Sequence, residues 1–451
     1  MKANYIFPTP NSQAARLTIG WLLLGLGALI AAGLYAILLV SSRTPGIDTL
    51  IPWIDFFHTA LIVHVDLSVL IWFLGYAALI WSYTNPPGRM RLDWLALLLC
   101  CLGAAVIALS PFLASGQPLI NNYVPILQQP VFYAGLVVFG IGVLIRTLTR
   151  LWPGLRQGSA FDTPLFHGSY AAALTTLLAL LYLPLSWWLM DPVADNVSFY
   201  EVLFWAAGHE IQYTHTLLLM LSWLWLTQAT GSPILGRSRW VATGFWLVAL
   251  PALISPLIFL HANPSSGLFR QDFTYMMIYG GLASLPLGLI VIASLLHQRK
   301  AIASERPARA ALLCSIFLFA AGGILGFMIQ GVNVVIPAHY HGSIVGVTLA
   351  FMGLSYHLLP KLGFPLATPR LAWLQAYIYA GGQLLHITGL AVSGGYGVLR
   401  KTAGAAQGLN RLPEILGMGM MGLGGLIAII GGLLFLVVCL RALWSGGGRL
   451  A

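Results

Sequence analysis

Eleven histidines stand far apart along this chain. Each neutral imidazole offers one nitrogen lone pair, and groups of imidazoles are a common means of holding iron or copper. The densest spacing is Ala338-His339-Tyr340-His341. Residues two apart on an α-helix project about 200° apart. One helix would therefore present the two rings on opposite faces and could serve two separate cofactors. His58, His64, His209, His261 and His386 stand in other apolar stretches and are candidate partners. Glu210 follows His209 directly, and Tyr213 lies one turn further along the same face. The four cysteines, Cys100, Cys101, Cys314 and Cys439, lack metal-ligand spacing and read as small apolar packing residues. In particular, no cysteine pair of the kind that binds a dinuclear copper electron-entry centre is present in the chain.

Histidines so distant in sequence must be gathered by long elements, and the composition says which kind. Of the 451 residues, 59% are hydrophobic and 8% charged, against about 25% charged in soluble domains. Apolar runs such as 19–40 and 416–440 reach the roughly 20 residues that cross a bilayer core. Breaks at Gly, Pro and charged residues divide the chain into twelve spans, near 16–40, 53–83, 93–114, 127–149, 163–190, 198–228, 238–261, 272–297, 309–331, 336–359, 371–394 and 414–443. The reading is an all-α polytopic membrane protein, a single integral-membrane domain over 1–451. No appended soluble domain, internal repeat or cleavable signal peptide is expected.

The net charge of +10 does not indicate nucleic-acid binding, because Lys and Arg fall in loops between apolar runs. One set of loops holds Lys2, Arg16, Arg89, Arg91, Arg146, Arg150, Arg156, Arg237, Arg239, Arg299, Lys300, Arg306, Arg309, Lys361, Arg370, Arg441 and Arg449. The other holds only Arg43, Arg270, Arg400, Lys401 and Arg411. The positive-inside bias then places both termini in the cytoplasm. On that topology His58, His64, His209, His261, His339, His341 and His386 all fall in the outer half of the membrane. Ionisable side chains inside a bilayer are costly and are functional candidates. Seven imidazoles at one depth point to a metal site. His167, His297 and His357 fall toward cytoplasmic ends and are given no metal role.

At these residues the chain resembles subunit I of the haem-copper oxidase superfamily, over nearly all twelve spans and closest to the B-type oxidases. The segment "VIPAHYHGSIVGVTLAFMGLSYHLLPKL" is similar to that family's tenth helix. This implies His339 as the ligand of a high-spin haem and His341 as a ligand of a low-spin haem. "ALIVHVDLSVLIW" resembles the second helix and implies His64 as the other axial ligand of the low-spin haem. "LFWAAGHEIQY" resembles the sixth-helix motif. It implies His209 as a copper ligand and Tyr213 as the tyrosine that oxygen reductases crosslink to it. "LHITGLAVSGGYGVLRKT" resembles the eleventh-helix segment, in which two basic residues, here Arg400 and Lys401, hold haem propionates.

The resemblance thus implies two haems and one non-haem metal, with copper expected on His209 and His261. A haem clamped by His64 and His341 passes electrons, while a haem held by His339 alone keeps one face open to a diatomic gas. The implied location is a bacterial or archaeal cytoplasmic membrane, with the site toward the outer side. The implied partner is a cupredoxin- or cytochrome-type second subunit at the outer face, fed by cytochrome c or a similar donor, with quinol as the alternative donor.

Two departures from the family pattern bear on the reaction. The family's seventh helix ends in a His-His doublet, both copper ligands, whereas "PLIFLHANPSSG" keeps only His261. Asn263, Glu210, His215 or water stand as third-ligand candidates, beside a two-coordinate site. Oxygen reductases also need a polar route from the cytoplasm. Below Tyr213 the sixth span reads "LLLMLSWLWL", and Tyr279 and Ser284 are among the few polar groups of the eighth. The superfamily's NO reductases can draw protons from outside. The expected function is therefore reduction of NO to N₂O, with Glu210 and Tyr213 as catalytic candidates and electrons supplied by the low-spin haem. The alternative, resting on Tyr213, is a terminal cytochrome oxidase that reduces O₂ to water, with or without proton pumping. A haem-binding carrier or sensor would need no second haem, so the paired His339 and His341 argue against it.

Overall fold

The computed structural model describes residues 5–44, 56–84, 90–152, 163–192, 195–402 and 404–446. Lys2, Arg89, Arg156 and Arg449, used above for the loop charges, lie outside the described residues. Among the described residues, twelve long helical segments follow one another: α1 (Ser12–Arg43), α2 (Phe56–Tyr83), α3 (Met90–Leu113), α4 (Pro130–Leu151), α5 (Pro164–Leu189), α6 (Asn196–Ala229), α7 (Ser238–His261), α8 (Gly267–His297), α9 (Arg306–Phe327), α10 (Val335–Lys361), α11 (Pro369–Gly395) and α12 (Leu412–Gly446). They match the expected spans to within a few residues. A short antiparallel ribbon, β1 (Gln117–Leu119) with β2 (Ile126–Gln128), lies between α3 and α4.

Ten of these segments are long and apolar enough to cross a membrane. The other two, α6 and α11, are long enough at 34 and 27 residues. Polar residues such as His209, Glu210, Gln212 and His215 on α6, and Gln375, Gln383 and His386 on α11, dilute their apolar character. The helices that depart from the rule are thus two of those that carry ionisable candidates into the interior.

Local chemistry sets where the helices begin and where they rewind. Pro130, Pro164 and Pro369 open α4, α5 and α11, where the missing N–H would have no helical partner anyway. Asp195 caps α6 by accepting from the Ser198 N–H at 2.9 Å. That bond holds the Asp195 carboxyl below its ordinary pKa. Inside α2, Asp66–Ile71 forms a π turn just after His64. Inside α7 and α8, Ser255–Leu257 and Gly281–Ser284 tighten to 3₁₀ turns. Pro256 and Pro286 remove the N–H groups that would have continued the α pattern there.

Packing divides the chain into two compact units, one of residues 1–25 and 70–300, the other of 26–69 and 301–451. In the first, α3 meets α4 at Gly103, where a Cβ would lie 2.6 Å from the Phe139 nitrogen. Buried hydroxyls of Thr175 and Thr176 on α5 meet Thr214 on α6 at 2.8 and 3.0 Å. In the second, a Cβ at Gly389 of α11 would lie 2.4 Å from the Gly417 carbonyl oxygen of α12. A Cβ at Gly322 of α9 would lie 2.4 Å from the Ser343 nitrogen of α10. Small residues let helices approach closely where no water drives them together.

Candidate functional site

His64, His339, His341, His386, Arg400 and Lys401 all belong to the second unit. Three of these rings share one arrangement, in which Nδ1 meets a backbone carbonyl on another helix. His64 bonds Ala32 of α1 at 2.9 Å, His339 bonds Gly322 of α9 at 2.7 Å, and His386 bonds Met421 of α12 at 2.9 Å. A carbonyl can only accept, so each proton sits on Nδ1 and each lone pair on Nε2. This is the tautomer that a metal-binding imidazole requires, with its orientation set by the bond to the other nitrogen.

Helix α10 turns its two rings to different neighbours. His339 lies against α9, where a Cβ at Gly326 would stand 2.7 Å from its Nδ1. The His341 ring lies against α11, with its centroid 4.9 Å from that of His386. The Val334 N–H donates to the Val398 carbonyl at 2.9 Å. That bond ties the segment carrying Arg400 and Lys401 to the start of α10. Both basic residues are partly buried, and Lys401 holds a left-handed φ of 63°. Such a backbone is uncommon outside glycine and persists where the surroundings dictate it. Asp66, two residues after His64, is buried, and neither of its oxygens bonds another described residue. Sequence reasoning passed over it, although an acid inside an apolar run was the available signal.

His209, Glu210, Tyr213, His215 and His261 belong to the first unit. His209 is buried, and its Nδ1 donates to the Trp205 carbonyl at 2.8 Å. Its Nε2 lies 3.0 Å from the hydroxyl of Tyr123, a residue the sequence did not single out. Tyr123 sits in the loop between β1 and β2. There the Asn121 side-chain oxygen accepts from the Tyr123 and Val124 N–H groups at 2.8 and 2.9 Å. Gly208 makes room for the ring, since a Cβ there would lie 2.1 Å from the Tyr123 Cγ. Burial, with the Glu201 charge as a second cause, pushes the Tyr123 hydroxyl well above its ordinary pKa.

The remaining candidates of this unit are engaged differently. The Tyr213 hydroxyl donates to the Met276 carbonyl of α8 at 2.7 Å. Glu210 is fully buried, and one of its oxygens accepts from the Ser255 hydroxyl at 3.0 Å. Ser255 in turn bonds the Tyr182 hydroxyl. The other Glu210 oxygen and the His215 Nε2 bond no described residue. The His261 side chain is 54% exposed, and its Nε2 lies 2.8 Å from the Asp272 carboxylate. Its Nδ1 meets the Leu257 carbonyl at 3.0 Å. Both nitrogens thus face acceptors, so both carry protons and the ring keeps no lone pair for a metal. Asn263 donates to the Leu189 carbonyl at 2.9 Å. Among the described residues, no three of His, Cys, Asp and Glu come together closely enough to hold a metal ion. His357, given no metal role, pairs with Glu305 at 3.0 Å. His167 accepts from the Trp246 indole at 3.1 Å.

Comparison with known proteins matches residues 16–434 to the family described as cytochrome C and quinol oxidase polypeptide I. The chain belongs to that family. This oxidase-family chain is 30% identical to an uncharacterized protein of Rickettsia prowazekii (strain Madrid E), across 96% of each chain. It is 28% identical to an uncharacterized protein of Aquifex aeolicus (strain VF5), across 76% of this chain and 85% of that one. It shares its fold with a heme-copper terminal oxidase solved as a dimer by cryo-electron microscopy. The TM-score is 0.73 at 18% identity, covering 95% of this chain and 84% of that one. Membership makes the chain an integral-membrane subunit of a catalytic oxidoreductase.

The family binds haems and a further metal centre, and the residues present fit these groups unequally. The second unit fits haem ligation, because buried backbone carbonyls hold its imidazoles in the ligand tautomer. The pair expected for copper does not fit as it stands. His209 keeps a buried lone pair on Nε2, facing the Tyr123 hydroxyl, whereas His261 donates from Nε2 to Asp272 and has none to offer.

Proposed function

We propose that this oxidase-family subunit reduces NO, in the balance 2 NO + 2 e⁻ + 2 H⁺ → N₂O + H₂O. The observation that carries this reading over O₂ reduction is the bond from the Tyr213 hydroxyl to the Met276 carbonyl. Oxygen chemistry would use that phenol as an electron and proton donor at His209. A phenol committed to a main-chain carbonyl is employed in packing.

His64 and His341 are assigned to a low-spin haem, His339 to a high-spin haem, and Arg400 and Lys401 to haem propionates. The haems supply one-electron transfer and an open coordination position. The chain's own groups do the rest. The Ala32 and Gly322 carbonyls hold the rings of His64 and His339. Glu210 is assigned as the buried proton-holding group, and the Ser255 and Tyr182 hydroxyls as its relay. A copper on His209 and His261 would require His261 to leave Asp272, and no step is derived from it. The chain is taken as a single integral-membrane domain over 1–451, with both termini cytoplasmic and the chemistry toward the outer side. Electrons are assigned to a cupredoxin- or cytochrome-type partner at the outer face, as family members generally work with other subunits and electron donors.

One observation favours the second reading, reduction of O₂ to water: Tyr123 places a different phenol beside His209. Anaerobic turnover of the purified protein with NO, followed by O₂, decides between them. N₂O formation with little O₂ consumption supports the proposal. Fast O₂ reduction with negligible N₂O sinks it.

A further inference from the structure

His386 has no role in the function proposed above, yet it is built into the same unit as His64 and His341. Its ring is held from α12, through the 2.9 Å bond between Nδ1 and the Met421 carbonyl. Glycines let α12 deliver that carbonyl. A Cβ at Gly389 would lie 2.5 Å from the Met421 nitrogen, and a Cβ at Gly424 would lie 2.3 Å from the His386 nitrogen. The helix pair therefore sets both the position of the ring and its tautomer, leaving the lone pair on Nε2.

The neighbouring imidazole is that of His341, with ring centroids 4.9 Å apart and planes inclined by 53°. Two imidazoles joined by an N–H···N bond of about 2.9 Å have centroids about 5 Å apart. Two imidazoles on opposite faces of one iron, each with a metal–nitrogen bond of about 2.0 Å, have centroids about 6 Å apart. The observed separation fits the first arrangement.

We infer that His386 positions His341: a ring N–H of His341 donates to His386 Nε2, and His386 Nδ1–H donates to the Met421 carbonyl. The inference rests on the assignment of His341 to the low-spin haem. The relay turns the other nitrogen of His341 toward the iron and makes it a more basic ligand, as outer-shell acceptors generally do for metal-bound imidazoles. A more basic ligand favours the oxidised haem. Removing the acceptor shifts the redox equilibrium toward the reduced form.

The test uses the purified protein with its haems and partner subunit, in the His386→Leu and His386→Gln variants. Leu has similar bulk and no acceptor, while the Gln side-chain oxygen can accept. Spectroelectrochemical titration and electron paramagnetic resonance follow the low-spin haem. Both variants are expected to keep a six-coordinate low-spin haem. In His386→Leu the ratio of reduced to oxidised haem at fixed potential rises about tenfold, or ~59 mV for one electron. His386→Gln recovers most of that change. An unchanged potential in His386→Leu overturns the inference. Loss of the low-spin signal in that variant also overturns it, because His386 would then be an axial ligand. Should His386→Leu fail to assemble, the unmodified protein still decides. Its resonance spectrum must be that of a strongly hydrogen-bonded bis-imidazole haem, and a spectrum of two neutral imidazoles overturns the inference. His341→Ala tests the underlying assignment separately: survival of the low-spin haem there refutes the ligand, whatever His386 does.

Discussion

Replacing Gly208 by Ala should drive Tyr123 off His209. A Cβ at this position would stand 2.1 Å from Tyr123 Cγ, 2.2 Å from Cδ1 and 2.7 Å from Cβ. Carbon atoms in ordinary contact are about 3.5 Å apart, so the ring must withdraw by about 1.4 Å. The Tyr123 hydroxyl lies 2.8 and 3.0 Å from the two His209 nitrogens. A withdrawal of that size along the contact takes both beyond hydrogen-bond reach. Overpacking costs about 1–3 kcal/mol, and the lost bond costs about 0.5–1.5 kcal/mol. Ala is better than Gly in a helix interior by about 0.8–1.0 kcal/mol. The net effect is a destabilisation of about 0.5–4 kcal/mol.

The same substitution in a Tyr123→Ala background should change sign. With the ring gone, neither clash nor bond remains, and helix propensity alone stabilises by up to about 1 kcal/mol. Thermal midpoints in detergent for the four proteins measure this cycle. Trp205, whose ring lies 5.7 Å from that of Tyr123, reports the displacement by its fluorescence. Equal effects of Gly208→Ala in both backgrounds would refute the reasoning.

Four further substitutions probe the proposed roles. Tyr213→Phe should cost about 1 kcal/mol of stability and leave N₂O formation near the unmodified rate; loss of NO turnover would mean that the phenol takes part in the chemistry. Glu210→Gln keeps an acceptor for Ser255 but cannot exchange a proton, and should slow NO turnover by about 10²–10⁴-fold. Turnover at the unmodified rate would remove Glu210 from the proton path. His64→Ala should abolish the low-spin haem spectrum while keeping the high-spin haem, and His339→Ala should do the reverse. Loss of both haems from either variant would contradict the division between them.

The spans were legible because each is a local run of apolar residues, as in 238–261, which coincides with α7. The two faces of α10 were legible too, because helical pitch alone separates His339 from His341, and the structure turns them to α9 and α11. Other features were not legible. Tyr123 lies in a loop without periodicity, and its contact with His209 joins residues 86 positions apart. Nothing near His261 in sequence indicated that Asp272 would take its Nε2.

Residue order by itself therefore determined the helical membrane architecture and which imidazoles were candidates for a cofactor, because hydropathy and helical phase are properties of a single segment. Only the tertiary structure decided what each imidazole has to offer. The carbonyls of Ala32, Gly322 and Met421 leave a lone pair on His64, His339 and His386, while Leu257 and Asp272 accept from both nitrogens of His261 and leave it none. Which nitrogen carries the proton depends on the acceptor that packing brings to within about 3 Å, and that acceptor comes from another helix or turn.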